Sequence, residues 1–274
     1  LEALAVNEIT AVAYETIQEE DGLLPVLIPM SEIAGRLAPI IAGQLIMNTH
    51  GGRGTLLSGL PGVPPAAVVI LGAGVLGINA ARAFLGLGAQ VIVLDRNIRT
   101  LQKLDDIFCG QVTTMISNEY NLGRAVDFAD VLVGCVLVPG QRAPVLLSRE
   151  MVRRMRQRSV LMDFSIDQGG CAETSRPTTL RDQTYIEEGV IHFCVPNFTA
   201  AVARTTSYAI TNAALPYLLA IGRHGLLGQH RHRAALSQGM NLYKGKLSNA
   251  AVASALGRDL EVDLSDLLQA GGKA

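Results

Sequence analysis

The segment from Val68 to Asp95, VVILGAGVLGINAARAFLGLGAQVIVLD, constrains the fold of this chain more than any other. A β-branched run leads into Gly72-x-Gly74-x-x-Gly77, an amphipathic stretch follows, and a second β-branched run ends on Asp95, eighteen residues past the third glycine. Each part has a physical task. Gly72 permits a tight turn, Gly74 lets a phosphate approach the backbone, and Gly77 lets helix and strand pack closely, while the first helical turn, with Val75 and Leu76, offers N–H groups that its own helix leaves unsatisfied. Asp95 can accept both hydroxyls of a ribose and would repel a 2′-phosphate, which favours NAD over NADP. The adjoining Arg96 opposes that preference, because an Arg at this place can accommodate the extra phosphate.

Beyond Ala67 the text alternates short β-branched runs with amphipathic stretches, as a parallel sheet covered by helices on both faces requires. Strands are expected at Val68–Leu71, Gln90–Asp95, Val112–Ile116, Val131–Leu137, Val160–Phe164 and Val190–Val195, with helices near Val75–Leu87, Ile98–Phe108, Glu119–Phe128 and Ser148–Arg156. The expected fold class is therefore α/β, a doubly wound parallel (Rossmann) sheet with its ligand at the carboxyl ends of the strands. Upstream, a helix is expected from Met30 through Ile46 with Ser31 as its N-cap, followed by the Gly- and Pro-rich connector NTHGGRGTLLSGLPGVPP. Downstream, Ala203–Ile221 reads as a long apolar helix. Leu236–Leu268 reads as two more helices without strands, packed on another part of the chain such as Leu1–Gln18.

Composition narrows the partners. A chain of 274 residues, 49% hydrophobic, supports one or two domains, and a net charge of −1 with only 17% charged residues removes the usual electrostatic footprint of a nucleic-acid or anionic-membrane partner. The ligand is expected to be small. Cys109, Cys135, Cys171 and Cys194 stand far apart with no C-x-x-C pair and read as reduced thiols. No secretory leader pattern opens the chain and no uninterrupted apolar stretch reaches spanning length, so a soluble, cytoplasmic protein is expected. The start on Leu1, in helix-like text, reads as an internal starting point.

Two polar groups stand at the expected carboxyl edge. Asp167, in IDQGGCAETSRPTT, follows the fifth strand and is followed by glycines that remove side chains from a ligand's path; the competing reading is an acid capping an ordinary turn. Asn197, past the sixth strand, is either a second site residue or the cap of the helix near Ala203, with Phe198 beside it as a packing face for a nicotinamide. His224, His230 and His232 lie among arginines without nearby acids or thiols and read as a solvated helix end, so no metal is expected. His192, inside a strand, reads as a satisfied core histidine, His50 stays undecided, and Arg153–Arg158 reads as one helix's charged face.

The stretches AYETIQ, PMSEIAGRLA, GGRGTLLSGLPGV, GAGVLGINAAR, VLVPGQRAPVLLSREMV, IDQGGCAETSRPTT and CVPNFTAAVARTTSYAITNAALPYLL resemble, in order, the L-alanine dehydrogenases from about Val12 to Ala220. The related transhydrogenase subunits differ at DQGGCAETSRPTT, and their Arg-Gln-Asp loop has no counterpart here. The resemblance implies an NAD-binding domain at residues 27–204 interrupting a partial substrate domain formed by 1–26 and 205–274. It implies that Asp167 and Asn197 lie beside nicotinamide and substrate, with Asp167 important for catalysis. It further implies NAD contacts at Ser31, the glycine loop, Asp95, Ser117, Val136, Leu137 and Ile166, and a homo-oligomer. Three departures qualify it. The family's Arg and Lys carboxylate clamp and its acid/base His are expected upstream of the segment matching Leu1; the usual Asn-Met-Pro loop reads Asn197-Phe198-Thr199; and a basic residue near the adenosine is matched by Thr100, with Arg99 as a substitute.

The expected activity is NAD-dependent interconversion of L-alanine with pyruvate and ammonia by hydride transfer. Two alternatives stay open: a truncated NAD(H)-binding paralogue that is inactive alone, and a dehydrogenase or imine reductase with another substrate.

Overall fold

Val68 and Ile70 point to one face of their strand and Val69 and Leu71 to the other, and all four are buried. A strand of this kind has no side for water and must lie inside a sheet covered on both faces. The computed structural model, which describes residues 1–137, 142–228 and 232–264, places it in the interior of such a sheet, third of seven strands.

The chain runs α1 (Glu2–Val6), β1 (Ala11–Val12), α2 (Ile28–Leu45), β2 (Ala67–Leu71), α3 (Val75–Gly86), β3 (Gln90–Asp95), α4 (Ile98–Phe108), β4 (Thr113–Ile116), α5 (Glu119–Phe128), β5 (Val131–Gly134) and α6 (Arg149–Arg154). It continues through β6 (Val160–Asp163), β7 (Thr184–Glu187), β8 (Val190–Phe193), α7 (Ala203–His224), α8 (Arg233–Gly239), β9 (Met240–Tyr243), β10 (Lys246–Leu247) and α9 (Ala250–Ala255). These elements fall into two compact units, Ser31–Ala201 and the combination of Leu1–Met30 with the residues from Val202 on.

In the unit Ser31–Ala201 the seven strands are ordered β4-β3-β2-β5-β6-β8-β7, parallel except for the edge strand β7. The order reverses between β2 and β5, which opens a crevice at their carboxyl ends. One face is covered by the apolar sides of α2, α3 and α4, through Ala38, Ala42, Phe84, Leu104 and Phe108. The other is covered by α5 and α6, through Leu122, Val126 and Val152. The second unit joins β1, β9 and β10 in a small antiparallel sheet over separate apolar clusters around Ile17, Tyr217 and Leu236, and around Leu242 and Leu247. Among the described residues no helix is long and apolar enough to cross a membrane.

The structure corrects several expectations. Ser31 is not an N-cap, because α2 starts three residues earlier at Ile28; Pro29 sits in the first turn, where its missing N–H leaves nothing unsatisfied. The strand expected to Leu137 ends at Gly134, where its pairing with β6 stops at Gly134 opposite Asp163. The strands expected to Phe164 and Val195 likewise end at Asp163 and Phe193. The tail does have strands, β9 and β10, joined across Lys244 (φ +49°) and Gly245 (φ +79°), and β9 pairs with β1 in the opening segment. The part of the expected tail helix beyond Leu264, and His230, lie outside the described residues.

Candidate active site

The glycine turn forms as its spacing requires. Gly72 takes φ +107°, and its N–H donates to the Leu94 carbonyl at 2.8 Å. A Cβ on Gly77 would stand 2.0 Å from the Gly72 carbonyl oxygen, so only glycine lets α3 close on the end of β2. A Cβ on Gly74 would meet nothing within 4 Å, so the turn faces open space where a diphosphate would approach. Val75 and Leu76 follow in the first turn of α3. Helix α2 lies flush against that turn at Gly35, whose Cβ would stand 2.5 Å from the Leu76 carbonyl oxygen, and Ser31 is one turn earlier on the same face of α2.

Asp95 ties the turn to the next element. Its Oδ2 accepts the Ala73 N–H and its Oδ1 the Asn97 N–H, each at 2.8 Å, while its carbonyl accepts the Ser117 N–H at 2.9 Å. Each carboxylate oxygen keeps a lone pair for a hydroxyl donor. Arg96 projects into solvent beside it.

Three strands away along the sheet stands a second group, on the loops after β5, β6 and β8. The step from β3 to β6 is about 14 Å at ordinary strand spacing, room for an elongated ligand laid across the edge. Val136 donates its N–H to Ser165 Oγ at 3.0 Å, and Leu137 is half exposed beyond it. Ile166, buried, opens the short helical turn Ile166–Gln168, which closes through Gly169 and Gly170 at φ +99° and +83°. This turn leaves Asp167 exposed at the edge of the sheet, with its carboxyl partly covered by protein. Protein crowding pushes its carboxyl up from the usual carboxylate range, and hydrogen bonding from the backbone of Asn197 offsets part of that shift. Asn197 itself holds the left-handed conformation at φ +48°. It does not cap α7, whose cap residue is Val202.

Phe198 departs from the expected role of a nicotinamide packing face. Its ring is buried against Phe193 and Phe164, at centroid distances of 5.2 and 5.5 Å, because the short helical turn Phe198–Val202 directs it into the core. His192 is a core histidine: Nδ1 meets the Val190 carbonyl at 3.0 Å and Nε2 the Thr174 hydroxyl at 2.8 Å, which assigns the proton to Nδ1, and burial lowers its pKa. Burial, with the charges of Asp95 and Asp163, pushes the Cys135 thiol up, so it stays a neutral donor to the carbonyls of Leu71 and Gly72, at 3.1 and 3.2 Å.

The residue that sequence reasoning passed over is Asp163. It is 1% exposed at the end of β6, with Oδ1 accepting the Ser165 N–H at 2.9 Å and Oδ2 accepting the Cys171 N–H at 2.7 Å and the Ser175 hydroxyl at 2.6 Å. Its one signal was an acid inside the apolar run VLMDF.

A doubly wound sheet with a glycine turn at its switch point and an acid at the end of the second strand defines a nucleotide-binding α/β protein. Residues 38–250 match the family model described as "Alanine dehydrogenase/PNT, C-terminal domain". The chain is 50% identical over 254 residues to an alanine dehydrogenase of Methanococcus maripaludis, covering 92% of this chain and 68% of that protein. It is 48% identical over 256 residues to one of Mycobacterium tuberculosis, covering 93% and 69%. A solved L-alanine dehydrogenase superposes with a TM-score of 0.87 at 43% identity, over 93% of this chain and 71% of that one. A transhydrogenase from Sinorhizobium meliloti shares the fold, with a TM-score of 0.72 at 20% identity. The chain belongs to the alanine dehydrogenase/PNT C-terminal domain family and is an alanine dehydrogenase-like oxidoreductase.

Proposed function

We propose that the protein binds NAD(H) across the carboxyl edge of its sheet and interconverts L-alanine and water with pyruvate and ammonia. The observation that carries this reading is the pairing of a glycine turn open at Gly74 with a solvent-facing carboxylate, Asp167, across the switch point of the sheet. The turn 72–77 and the first N–H groups of α3 would hold the diphosphate, Asp95 the adenosine ribose, and Ser31, Ser117 and the backbone at Val136, Leu137 and Ile166 would complete the cofactor contacts. When bound, the nicotinamide supplies the hydride acceptor and donor.

The chain's own catalytic contribution lies at Asp167 and Asn197. Ionised Asp167 stabilises positive charge on the carbon–nitrogen double bond of the iminium and orients the water that adds to it. The Asn197 backbone steadies that carboxylate. The Asn197 side chain fixes substrate or cofactor beside it. In this reading residues 27–204 form the cofactor domain, residues 1–26 and 205–274 belong to the substrate domain, and the protein acts as a cytoplasmic homo-oligomer.

The test is consumption of NADH with pyruvate and ammonium. Turnover that needs both, and that falls by at least about 10²-fold in Asp167→Asn, is the expected result. NADH binding without turnover on pyruvate would overturn the substrate assignment.

A further inference from the structure

Two acids in the unit Ser31–Ala201 are nearly fully buried, and they are held in different ways. Asp130, 5% exposed before β5, accepts the Ala67 N–H at 3.0 Å and pairs with Arg53 and Arg156 at 3.4 and 2.9 Å, as a structural acid at the amino edge does. Asp163, at the carboxyl edge, has no ion-pair partner among the described residues. The hydrogen-bond partners of its carboxylate lie on the segment that carries Asp167: the N–H groups of Ser165 and Cys171, the hydroxyl of Ser175 and the Cys171 thiol.

The surroundings are cut to fit this carboxylate. A Cβ on Gly170 would stand 2.9 Å from Asp163 Oδ2, and one on Gly134 would stand 2.2 Å from Cys171 Sγ and 3.4 Å from Asp163 Oδ1. Inside the loop, the Ser165 carbonyl accepts the N–H groups of Gln168 and Gly170 at 2.9 and 3.0 Å, so orienting Ser165 orients the turn. Ser165 Oγ in turn accepts the Val136 N–H, which couples the turn to the loop after β5.

We propose that Asp163 is the positioning residue of this site: its buried carboxylate gathers Ser165, Cys171 and Ser175 and so presents Asp167 at the carboxyl edge of the sheet. A carboxylate suits the task because its two oxygens accept several donors at once with no donor of their own. Asn in its place would turn an amide N–H₂ toward groups that are themselves donors. The chemical consequence for Asp167 rests on the function proposed above, whereas the positioning itself does not.

The experiment uses the whole chain and reads Asp167 directly. The carboxyl carbon of Asp167 is titrated by nuclear magnetic resonance with labelled aspartate, its signal assigned by its loss in Asp167→Asn. In Asp163→Asn the titration of Asp167 is expected to move back toward the ordinary carboxylate range as the turn loosens and admits water. An unchanged titration in a folded variant overturns the proposal. Ser175→Ala, which removes one donor and keeps the charge, is expected to move the titration the same way by less, and serves if Asp163→Asn fails to fold; no movement there overturns the proposal equally. With turnover as the readout, Asp163→Asn is expected to lower kcat by about 10- to 100-fold with NADH affinity within about threefold, and to lower it no further in an Asp167→Asn background. An equal loss in both backgrounds would mean that Asp163 acts independently of Asp167, and would overturn it. If the unaltered protein shows no turnover, the proposed reaction fails, and the titration still decides the role of Asp163.

Discussion

Asp167 is under opposing influences, crowding that raises its pKa and the Asn197 backbone that lowers it, and the first prevails. A carboxyl raised above its unfolded value favours the fold while protonated. That stabilising contribution is complete below the unfolded pKa, about 3.9, and is lost as pH rises through the folded value. Asp167→Asn is therefore expected to be more thermostable than the unaltered protein at neutral pH, with the difference vanishing in acid, while activity collapses. Thermal scans at the two pH values check this. Over the same window kcat is expected to rise with pH on a limb that the Asn variant lacks. Asp167 was legible as an acid after a strand and before two glycines, yet its rival reading as a turn cap was equally legible. Asp163 was not legible, because nothing in VLMDF says that its partners arrive from Cys171 and Ser175, eight and twelve residues on.

Helix α3 and its neighbours were legible in their periods and illegible in their contacts. Gly77→Ala would press a methyl against the Gly72 carbonyl, so it is expected to destabilise the protein by about 1–3 kcal/mol and to abolish NADH binding, measured by denaturant unfolding and fluorescence titration. Asn97→Ala removes the side-chain acceptor of the Arg99 N–H at the start of α4 and is expected to cost about 1 kcal/mol with NADH binding retained. The hairpin β7–β8 went unread because its turn is Glu188-Gly189, at φ +52° and +78°. Glu is not a residue that announces a left-handed position, and here Arg149 and Arg153 hold its carboxylate at 2.8 and 3.0 Å. Those contacts hold the Glu188 carboxyl below the ordinary carboxylate range, so their stabilising effect is present above that range and fades as pH falls through the folded value.

Across the whole molecule, NADH at a hundred times its dissociation constant is expected to stabilise the folded state by about 2.7 kcal/mol, seen as a raised unfolding midpoint that pyruvate alone does not produce. No shift at saturating NADH would remove the basis of the proposed function. The amino-acid sequence alone determined the doubly wound sheet, the glycine turn and the acid at the end of its second strand, because each depends on local periodicity and on backbone conformations that few residues tolerate. Tertiary structure decided the rest. It turned Phe198 into the core and set Ser31 inside α2. It paired β9 with the opening segment, and it gathered the donors of Ser165, Cys171 and Ser175 around Asp163. Those outcomes depend on which distant groups meet in space, and a hydrogen bond or a ring contact carries no period along the chain.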